Sequence, residues 1–216
     1  MAQIFHPSFN TLSKVSLFGA IFFLGAALWA WDTVLRSPYV TQVNVAREQP
    51  VPFSHKHHVQ DLGLDCRYCH WPAETSASAG VPPTKTCMTC HSVVWKDATN
   101  LEPVRESWQT DRSIEWARVH DLPDFAYFDH SIHLAKGMGC TTCHGQVDEM
   151  PLMWRENTLN MDWCLACHRD PESFIRPREE VWNPDWDPTS ITTQQREALV
   201  AEYDVQRLDN CSVCHR

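Results

Sequence analysis

The longest hydrophobic stretch of the chain lies near its N-terminus. Residues 15–31, VSLFGAIFFLGAALWAW, carry no charged side chain and are bounded by Lys14 and Asp32. As a helix with a rise of about 1.5 Å per residue, this stretch extends roughly 25 Å, which is near the lower limit for crossing a bilayer. The uncharged residues 33–35 can lengthen it, so the pattern predicts a single transmembrane helix over 15–35.

Two other interpretations fit so short an apolar stretch. Gly25-Ala26-Ala27 offers the small residues that signal peptidase cuts, and a buried core helix has a similar composition. Trp29 and Trp31 favour an anchor, because aromatic rings prefer the interface between membrane and water. We therefore expect a retained single-pass anchor preceded by a short cytoplasmic tail, residues 1–14.

Only two later stretches have the pattern of a helix. One is predicted over about 104–119, where Pro103 suits the first helical turn. The other is predicted over about 193–207, where Thr192 and Gln195 have the spacing of a capping box. These two helices are little regular structure for a chain of 216 residues, so much of the core must come from another source.

The cysteines supply that missing element. The 216 residues include 10 cysteines, 12 histidines and 10 tryptophans, and the cysteines form five C-x-x-C pairs, each followed at once by histidine. In chain order the five motifs are Cys66/Cys69/His70, Cys87/Cys90/His91, Cys140/Cys143/His144, Cys164/Cys167/His168 and Cys211/Cys214/His215. This spacing is the attachment motif of c-type haem, so we predict five haem c groups. Disulfides would leave the histidines unexplained, and zinc would need four ligands at each site.

Five large haem groups change the expected fold. The stretches 71–83 and 171–189 are rich in proline and polar residues, which predicts loops. We predict a multihaem cytochrome c fold, in which short helices and long loops wrap around five haems, together with one N-terminal transmembrane helix. Because the haems would form much of the core, we expect the apoprotein to be largely unfolded.

A second motif, F-x-H-x-x-H, occurs twice. FSHKHH at 53–58 precedes the first two haem motifs, and FDHSIH at 128–133 precedes the third and fourth. A haem iron has two axial positions, and the motif histidine fills only one of them. We predict that the distal ligands include His55, His58, His130 and His133. Because two histidines three residues apart need not face the same metal, one can serve its own motif and the other a neighbouring haem.

Four distal histidines leave one haem without a second ligand. His120, in RVHDLPDF, is the leading candidate for this fifth position. Met150 and Met161 are the alternatives, because a thioether also ligates haem iron.

These features divide the chain into six segments. Residues 1–14 form the cytoplasmic tail, 15–35 the anchor, 36–52 a linker, 53–127 the first di-haem module with a connector, 128–189 the second di-haem module with a loop, and 190–216 a C-terminal helix with the fifth haem site. Haem c is attached outside the cytoplasm, so we expect the haem-carrying part on the periplasmic or outer side of the inner membrane.

Charge and ligand supply exclude two classes of function. The formal net charge is −9, with 27 acidic against 18 basic residues, whereas nucleic acid binding needs a basic face. An enzyme acting at haem iron needs an open axial position, yet all five motifs keep histidine and at least five distal candidates exist. The pattern therefore predicts an electron-transfer protein that is not catalytic alone.

The F-x-H-x-x-H motif before C-x-x-C-H resembles the class III cytochromes c. In that family the first histidine ligates the haem of the motif that follows, and the second ligates a different haem. The resemblance implies that His55 serves the first motif and His130 the third, while His58 and His133 reach other haems. It covers about 80 residues in two copies.

The whole chain resembles the pentahaem cytochrome subunit of bacterial alternative complex III. The resemblance is carried by the anchor, the five motifs and the block RVHDLPDFAYFDHSIH…CTTCHGQVDEM…LNMDWCLACHR. It implies a membrane complex that oxidises quinol, with an iron–sulfur protein upstream, integral membrane subunits, and a monohaem cytochrome or soluble carrier downstream. It also implies mixed bis-histidine and histidine–methionine ligation. The alternative is a membrane-anchored multihaem quinol dehydrogenase of the one-helix type, which the fifth haem and the duplication disfavour.

Overall fold

The first structural unit is a single long helix. The structure, a computed structural model, describes residues 4–215, which divide into two units between Gln42 and Val43. Helix α1, Ser8–Arg36, is exposed along its whole length, and a window of it has a mean hydropathy of 1.7, so α1 is long and apolar enough to cross a membrane. Pro38 ends α1 by holding Ser37 in an extended conformation with ψ of 156° and begins the short helix α2, Pro38–Thr41. The predicted helix is confirmed, although it begins already at Ser8.

The second unit consists of short helices joined by long irregular segments. Its α-helices are α3 Cys66–His70, α4 Thr84–His91, α5 Glu102–Thr110, α6 His130–Ala135, α7 Cys140–His144, α8 Met161–Arg169, α9 Thr193–Glu202 and α10 Cys211–Cys214. A π-helical turn, Lys56–Asp61, precedes α3, and 3-10 turns occur at Trp71–Glu74, Thr99–Leu101, Val147–Glu149, Pro171–Ser173, Arg178–Glu180 and Pro188–Ser190. Within residues 4–215, only the isolated bridges Val43–Arg155 and Met138–Ile175 have β pairing. The predicted architecture without a sheet is confirmed.

Protein side chains alone form a small core. Among the described residues the buried hydrophobic side chains are Val51, Ala73, Leu101, Val104, Met150, Ile175, Val181 and Tyr203. Val51, Leu101 and Val104 form one cluster, against which the partly buried Cys87 and Met88 pack. The largest apolar cluster therefore lies directly beside the second haem motif.

The two predicted helices are both shorter than their sequence patterns suggest. The prediction of a helix over 104–119 is wrong in its C-terminal half, because Asp111 adopts a left-handed conformation with φ of 56° and ends α5 at Thr110. The capping box of α9 is confirmed, since Thr192 Oγ1 accepts from the Gln195 amide and Gln195 Oε1 accepts from the Thr192 amide. Helix α9 ends at Glu202, before Asp204 with φ of 47°.

Gly137 is expected to tolerate no side chain, unlike its counterpart in the other module. Its φ is 80°, and an added Cβ would lie 2.6 Å from the Arg176 carbonyl oxygen and 2.9 Å from the Tyr203 ring. Gly63, in the equivalent loop, has φ of 68° but no atom within 4 Å of an added Cβ. Gly137→Ala should lower the unfolding free energy of the haem-loaded protein by about 2–4 kcal/mol, because overpacking adds to left-handed strain. Gly63→Ala should lower the same unfolding free energy by only about 1–2 kcal/mol, because it adds left-handed strain without overpacking.

Guanidinium denaturation of both haem-loaded variants would measure this difference. Equal losses for the two glycines would show that Arg176 and Tyr203 move aside at no cost.

Candidate haem-binding site

Each C-x-x-C-H motif folds as a helical turn. Helices α3 and α7 consist of the motif alone, α4 ends in it, α8 carries it in its last two turns, and α10 spans the fifth pair of cysteines. Helical geometry brings two cysteines three residues apart, and the histidine after them, to one side of the turn. In the described part of the chain no disulfide links the cysteines, and no group of three or more His, Cys, Asp or Glu side chains has the arrangement of a metal site.

The two F-x-H-x-x-H segments have the same ring geometry. Phe53 stacks on His58 with ring centroids 4.4 Å apart and meets His55 edge-on at 4.9 Å. The corresponding distances in the second segment are 4.5 and 4.7 Å, although the first segment is π-helical and the second α-helical. In both segments the phenylalanine contacts both imidazoles and holds them at different angles to its own ring.

Three of the four segment histidines lie opposite a motif histidine. The ring-centroid distances are 6.2 Å for His58–His91, 6.3 Å for His130–His144 and 6.1 Å for His133–His168. Because a metal–imidazole bond is about 2.0 Å long, two imidazoles on opposite sides of one iron have ring centroids about 6 Å apart. The fourth segment histidine, His55, is close enough to His70 for the charge of His70 to affect its pKa. Burial first, and then that charge, lower the pKa of His55 to about 4.

The second nitrogen of these imidazoles is held by the backbone. Nδ1 lies 2.6–3.0 Å from a carbonyl oxygen in His58 (Ser54), His70 (Gly80), His91 (Val94), His130 (Ala77), His133 (Asp129), His168 (Leu208) and His215 (Phe125). A carbonyl oxygen only accepts, so Nδ1 carries the proton in each ring and Nε2 is left with a free lone pair. This is the tautomer that binds a metal through Nε2, and the second hydrogen bond fixes the ring orientation.

His144 and His55 depart from this arrangement. His144 Nδ1 lies 3.2 Å from Nε2 of His120, and His55 Nδ1 is a buried nitrogen for which residues 4–215 provide no hydrogen-bond partner. Burial, and after it the neighbouring His120, lowers the pKa of His144 to about 3. Burial, and after it Arg155, lowers the pKa of His120 to about 4. The imidazoles of His144 and His120 are therefore neutral near pH 7, and a neutral His144 is the form that can bind a metal.

Two family profiles match separate parts of the chain. Residues 33–115 match the class III cytochrome c family, and residues 126–216 match cytochrome c7 and related cytochrome c. The chain is a multihaem cytochrome c of the class III type. The cysteine pairs, the opposed imidazoles and their Nδ1 tautomers all fit haem c, and the two matched parts contain the two modules predicted from the repeat.

One relative of this cytochrome comes from a menaquinone reductase. It is the menaquinone reductase, multiheme cytochrome c subunit, of Nitratidesulfovibrio vulgaris, which is 33% identical over 158 residues. The match covers 70% of this chain and 65% of the relative, so it spans slightly less than two thirds of the relative's length.

The structure separates the three candidates for the fifth distal ligand of the cytochrome. His120 Nε2 faces Nδ1 of His144, on the side of that ring away from its metal-binding nitrogen. Ligation of an iron by His120 stays a prediction, and this contact favours a hydrogen-bonding role for it. Met150 is 0% exposed, which leaves no open side on its sulfur for an iron. Met161 is 66% exposed and begins α8. Of the two methionines, only Met161 has a side chain that is accessible to a ligand.

Arg176 lies against the third C-x-x-C-H motif, a contact that the sequence did not reveal. Its side chain is buried, and Nη2 lies 3.2 Å from the hydroxyls of both Thr141 and Thr142, inside the third motif. The guanidinium lies directly over Gly139, where an added Cβ would collide with it, and stacks on Trp186 at 4.5 Å. Its position in a proline-rich loop concealed this role, and the only signal was a charged residue following Phe174-Ile175.

Proposed function

We propose that this cytochrome is a membrane-anchored electron relay that carries five covalent c haems and has no substrate of its own. Helix α1 would be the anchor, with the haem unit on the periplasmic or outer side. The observation that supports the proposal most directly is the pairing of segment and motif histidines at 6.1–6.3 Å. Each segment serves two motifs, so it would hold two irons close together.

The proposed ligand sets follow from these pairs. The five cysteine pairs would bind the porphyrins through thioethers, and the iron ligands would be His70 with His55, His91 with His58, His144 with His130, and His168 with His133. His215 would bind the fifth iron, and the accessible side chain of Met161 is the candidate for its second ligand. When bound, haem c supplies a one-electron redox couple. The protein residues orient the imidazoles through their Nδ1 hydrogen bonds, which leaves Nε2 of each ring available to the iron.

Contacts within the second unit support a spatial order of the haems. His55 and His58 on one turn connect the first and second motifs, and His130 and His133 connect the third and fourth. The first and third motifs meet because Cys66 Sγ and Cys140 Sγ lie 3.9 and 3.7 Å from the consecutive carbonyls of Trp182 and Val181. The fourth and fifth motifs meet where His168 bonds to the carbonyl of Leu208, three residues before Cys211. The proposed order is second, first, third, fourth, fifth.

Exposure of the cysteines is consistent with this order. Cys90 in the second motif and Cys211 in the fifth are the exposed cysteines among the described residues, and the others are partly buried. The two proposed terminal haems are therefore the two with an attachment site at the surface. Electrons would enter at one of these ends and leave at the other.

We further propose that the relay belongs to a quinol-oxidising membrane complex of the alternative complex III kind. Electrons would arrive from an iron–sulfur subunit and pass to a monohaem cytochrome or soluble carrier. The sequence block shared with that family and the anchor support this proposal. The relative from Nitratidesulfovibrio vulgaris is likewise a subunit of a quinone-linked enzyme, a menaquinone reductase.

The activity of this relative favours a second candidate function. The relative belongs to a menaquinone reductase, so the relay would there deliver electrons toward the quinone rather than remove them. The one-helix quinol dehydrogenase remains the third alternative, and it differs because the subunit alone would then oxidise quinol.

Isolation of the tagged cytochrome from its native membranes tests these alternatives. We expect an intact mass equal to the polypeptide plus five haems, co-purifying iron–sulfur and integral membrane subunits, and haem reduction by quinol in the complex only. Quinol oxidation by the purified subunit would contradict the proposal and favour the dehydrogenase. Haems that are reduced only by a periplasmic donor, with quinone reduction by the complex, would favour the reductase direction.

The buried charge of Arg176 is expected to raise the reduction potential of the third haem. Reduction adds one negative charge, so a guanidinium about 8 Å away would stabilise the reduced form by about 2 kcal/mol at an effective dielectric constant of about 20. Arg176→Gln should therefore lower that midpoint potential in a spectroelectrochemical titration. Arg178→Gln is the matched control, because Arg178 is exposed and its charge is screened by solvent. A shift of equal size in both variants would contradict a specific role for the buried charge.

A further inference from the structure

His144 has a different kind of hydrogen-bond acceptor from the other predicted iron ligands. Seven of these ligands direct Nδ1 at a backbone carbonyl, whereas His144 directs it at Nε2 of His120, 3.2 Å away. The two rings meet edge-on, with centroids 4.3 Å apart and planes at 72°. On the opposite side of His144 the ring of His130 is nearly parallel, at 8° and 6.3 Å. His120 and His130 therefore use different nitrogens of the same motif imidazole.

The direction of the hydrogen bond follows from ligation. If Nε2 of His144 binds iron, the proton of that ring is on Nδ1, so His120 Nε2 must accept it. A neutral His120 then carries its own proton on Nδ1. Its position is fixed from the neighbouring residue, because Arg155 donates from Nε and Nη2 to the Val119 carbonyl at 3.0 and 2.8 Å.

We propose that His120 is a positioning residue that lowers the reduction potential of the haem attached at Cys140 and Cys143. This inference rests on the proposed ligation of that haem by His144. An imidazole nitrogen is a stronger base than a carbonyl oxygen, so His120 draws the Nδ1 proton further from His144 than a carbonyl would. His144 then becomes a more basic ligand, and a more basic ligand stabilises the oxidised iron.

The proposal requires no bond to form or break. The proton stays between the two imidazoles in both oxidation states, and the electron is the one that the relay already transfers. It also accounts for the low exposure of His120 without giving it a place on an iron.

Two substitutions in the haem-loaded full chain test the role of His120. His120→Phe removes the acceptor and should raise the midpoint potential of one haem. We expect a tenfold change in the electron-transfer equilibrium of that haem, which corresponds to about 59 mV for one electron. His120→Gln offers an amide oxygen in place of the nitrogen and should shift the same haem in the same direction by less. The matched control is His57→Phe, since His57 is an exposed histidine beside Asp61 that faces no motif histidine in the described pairs.

Spectroelectrochemistry and low-temperature EPR together decide the outcome. The expected result keeps every haem low-spin and moves one potential upward in both His120 variants. A new high-spin haem in His120→Phe would overturn the proposal, because it would make His120 an iron ligand. Unchanged potentials and spectra would overturn it by showing that the hydrogen bond has no effect. A wild-type mass lacking one haem, with Cys140 and Cys143 unmodified, would overturn the proposed ligation as well, and the mass measurement distinguishes that failure from the other two.

Discussion

Replacing His133 by alanine is expected to open an axial position on the haem of the fourth motif, although His133 precedes the third. The reason is geometric, since the His133 ring lies 6.1 Å from His168 and its Nδ1 is held by the Asp129 carbonyl at 2.6 Å. One haem of the five should become high-spin and bind carbon monoxide after reduction. EPR and a carbon monoxide titration would measure this stoichiometry.

The neighbouring His130 provides the control, because it lies on the same helix but opposite His144. His130→Ala should open the haem of the third motif instead. To identify the haem, His133→Ala is combined with Cys164→Ser and Cys167→Ser, which removes the fourth attachment site. The high-spin signal should then disappear, whereas the signal of His130→Ala should persist in the same background. If the His133→Ala signal persisted without the fourth site, the proposed sharing of histidines between motifs would be wrong.

The second large effect concerns folding without haem. A variant with serine at all ten cysteines is expected to be largely unfolded from residue 43 onward. The second unit buries few hydrophobic side chains, and they are scattered along the chain. Its helices are at most ten residues long, which is too short for stability in isolation. The entire unfolding free energy of the loaded protein, of order 5–15 kcal/mol for an ordinary domain, should be lost.

Circular dichroism and thermal unfolding of this variant in detergent would test that expectation. Helix α1 should remain, because an apolar helix satisfies its own backbone hydrogen bonds in a lipid-like environment. The haem-loaded wild type, measured in the same detergent, is the control. A cooperative thermal transition of the serine variant would show that the protein core suffices without haem.

The sequence predicted most of what depends on spacing. Five C-x-x-C-H motifs and two F-x-H-x-x-H segments indicated a multihaem cytochrome without a sheet, and Thr192 and Gln195 indicated the start of α9. These patterns act over a few residues, so they can be recognised without knowing the fold. The end of α5 was missed because a left-handed Asp111 has no strong sequence signal.

Features that depend on distant contacts were beyond such patterns. The orientation of His120 depends on Arg155, which holds the Val119 carbonyl from 36 positions further along the chain. Similarly, Arg176 reaches the third motif from a loop 35 residues away. Nothing in the local sequence around His120 or Arg176 specifies these distant partners, so spacing alone does not predict their contacts.

Cys66 and Cys140 lie at two consecutive carbonyls, which determines how the two di-haem modules would be joined into one electron path. The two modules are tandem copies in sequence, yet the first motif of each copy would lie at the seam and the second motif of each would point outward. In the proposed haem order the two copies would therefore be joined through their first motifs, both of which lie against the loop at Val181 and Trp182. In the proposed order the haems of the two modules would then run in mirrored sequence, with the second and fourth motifs at the two ends of that four-haem series.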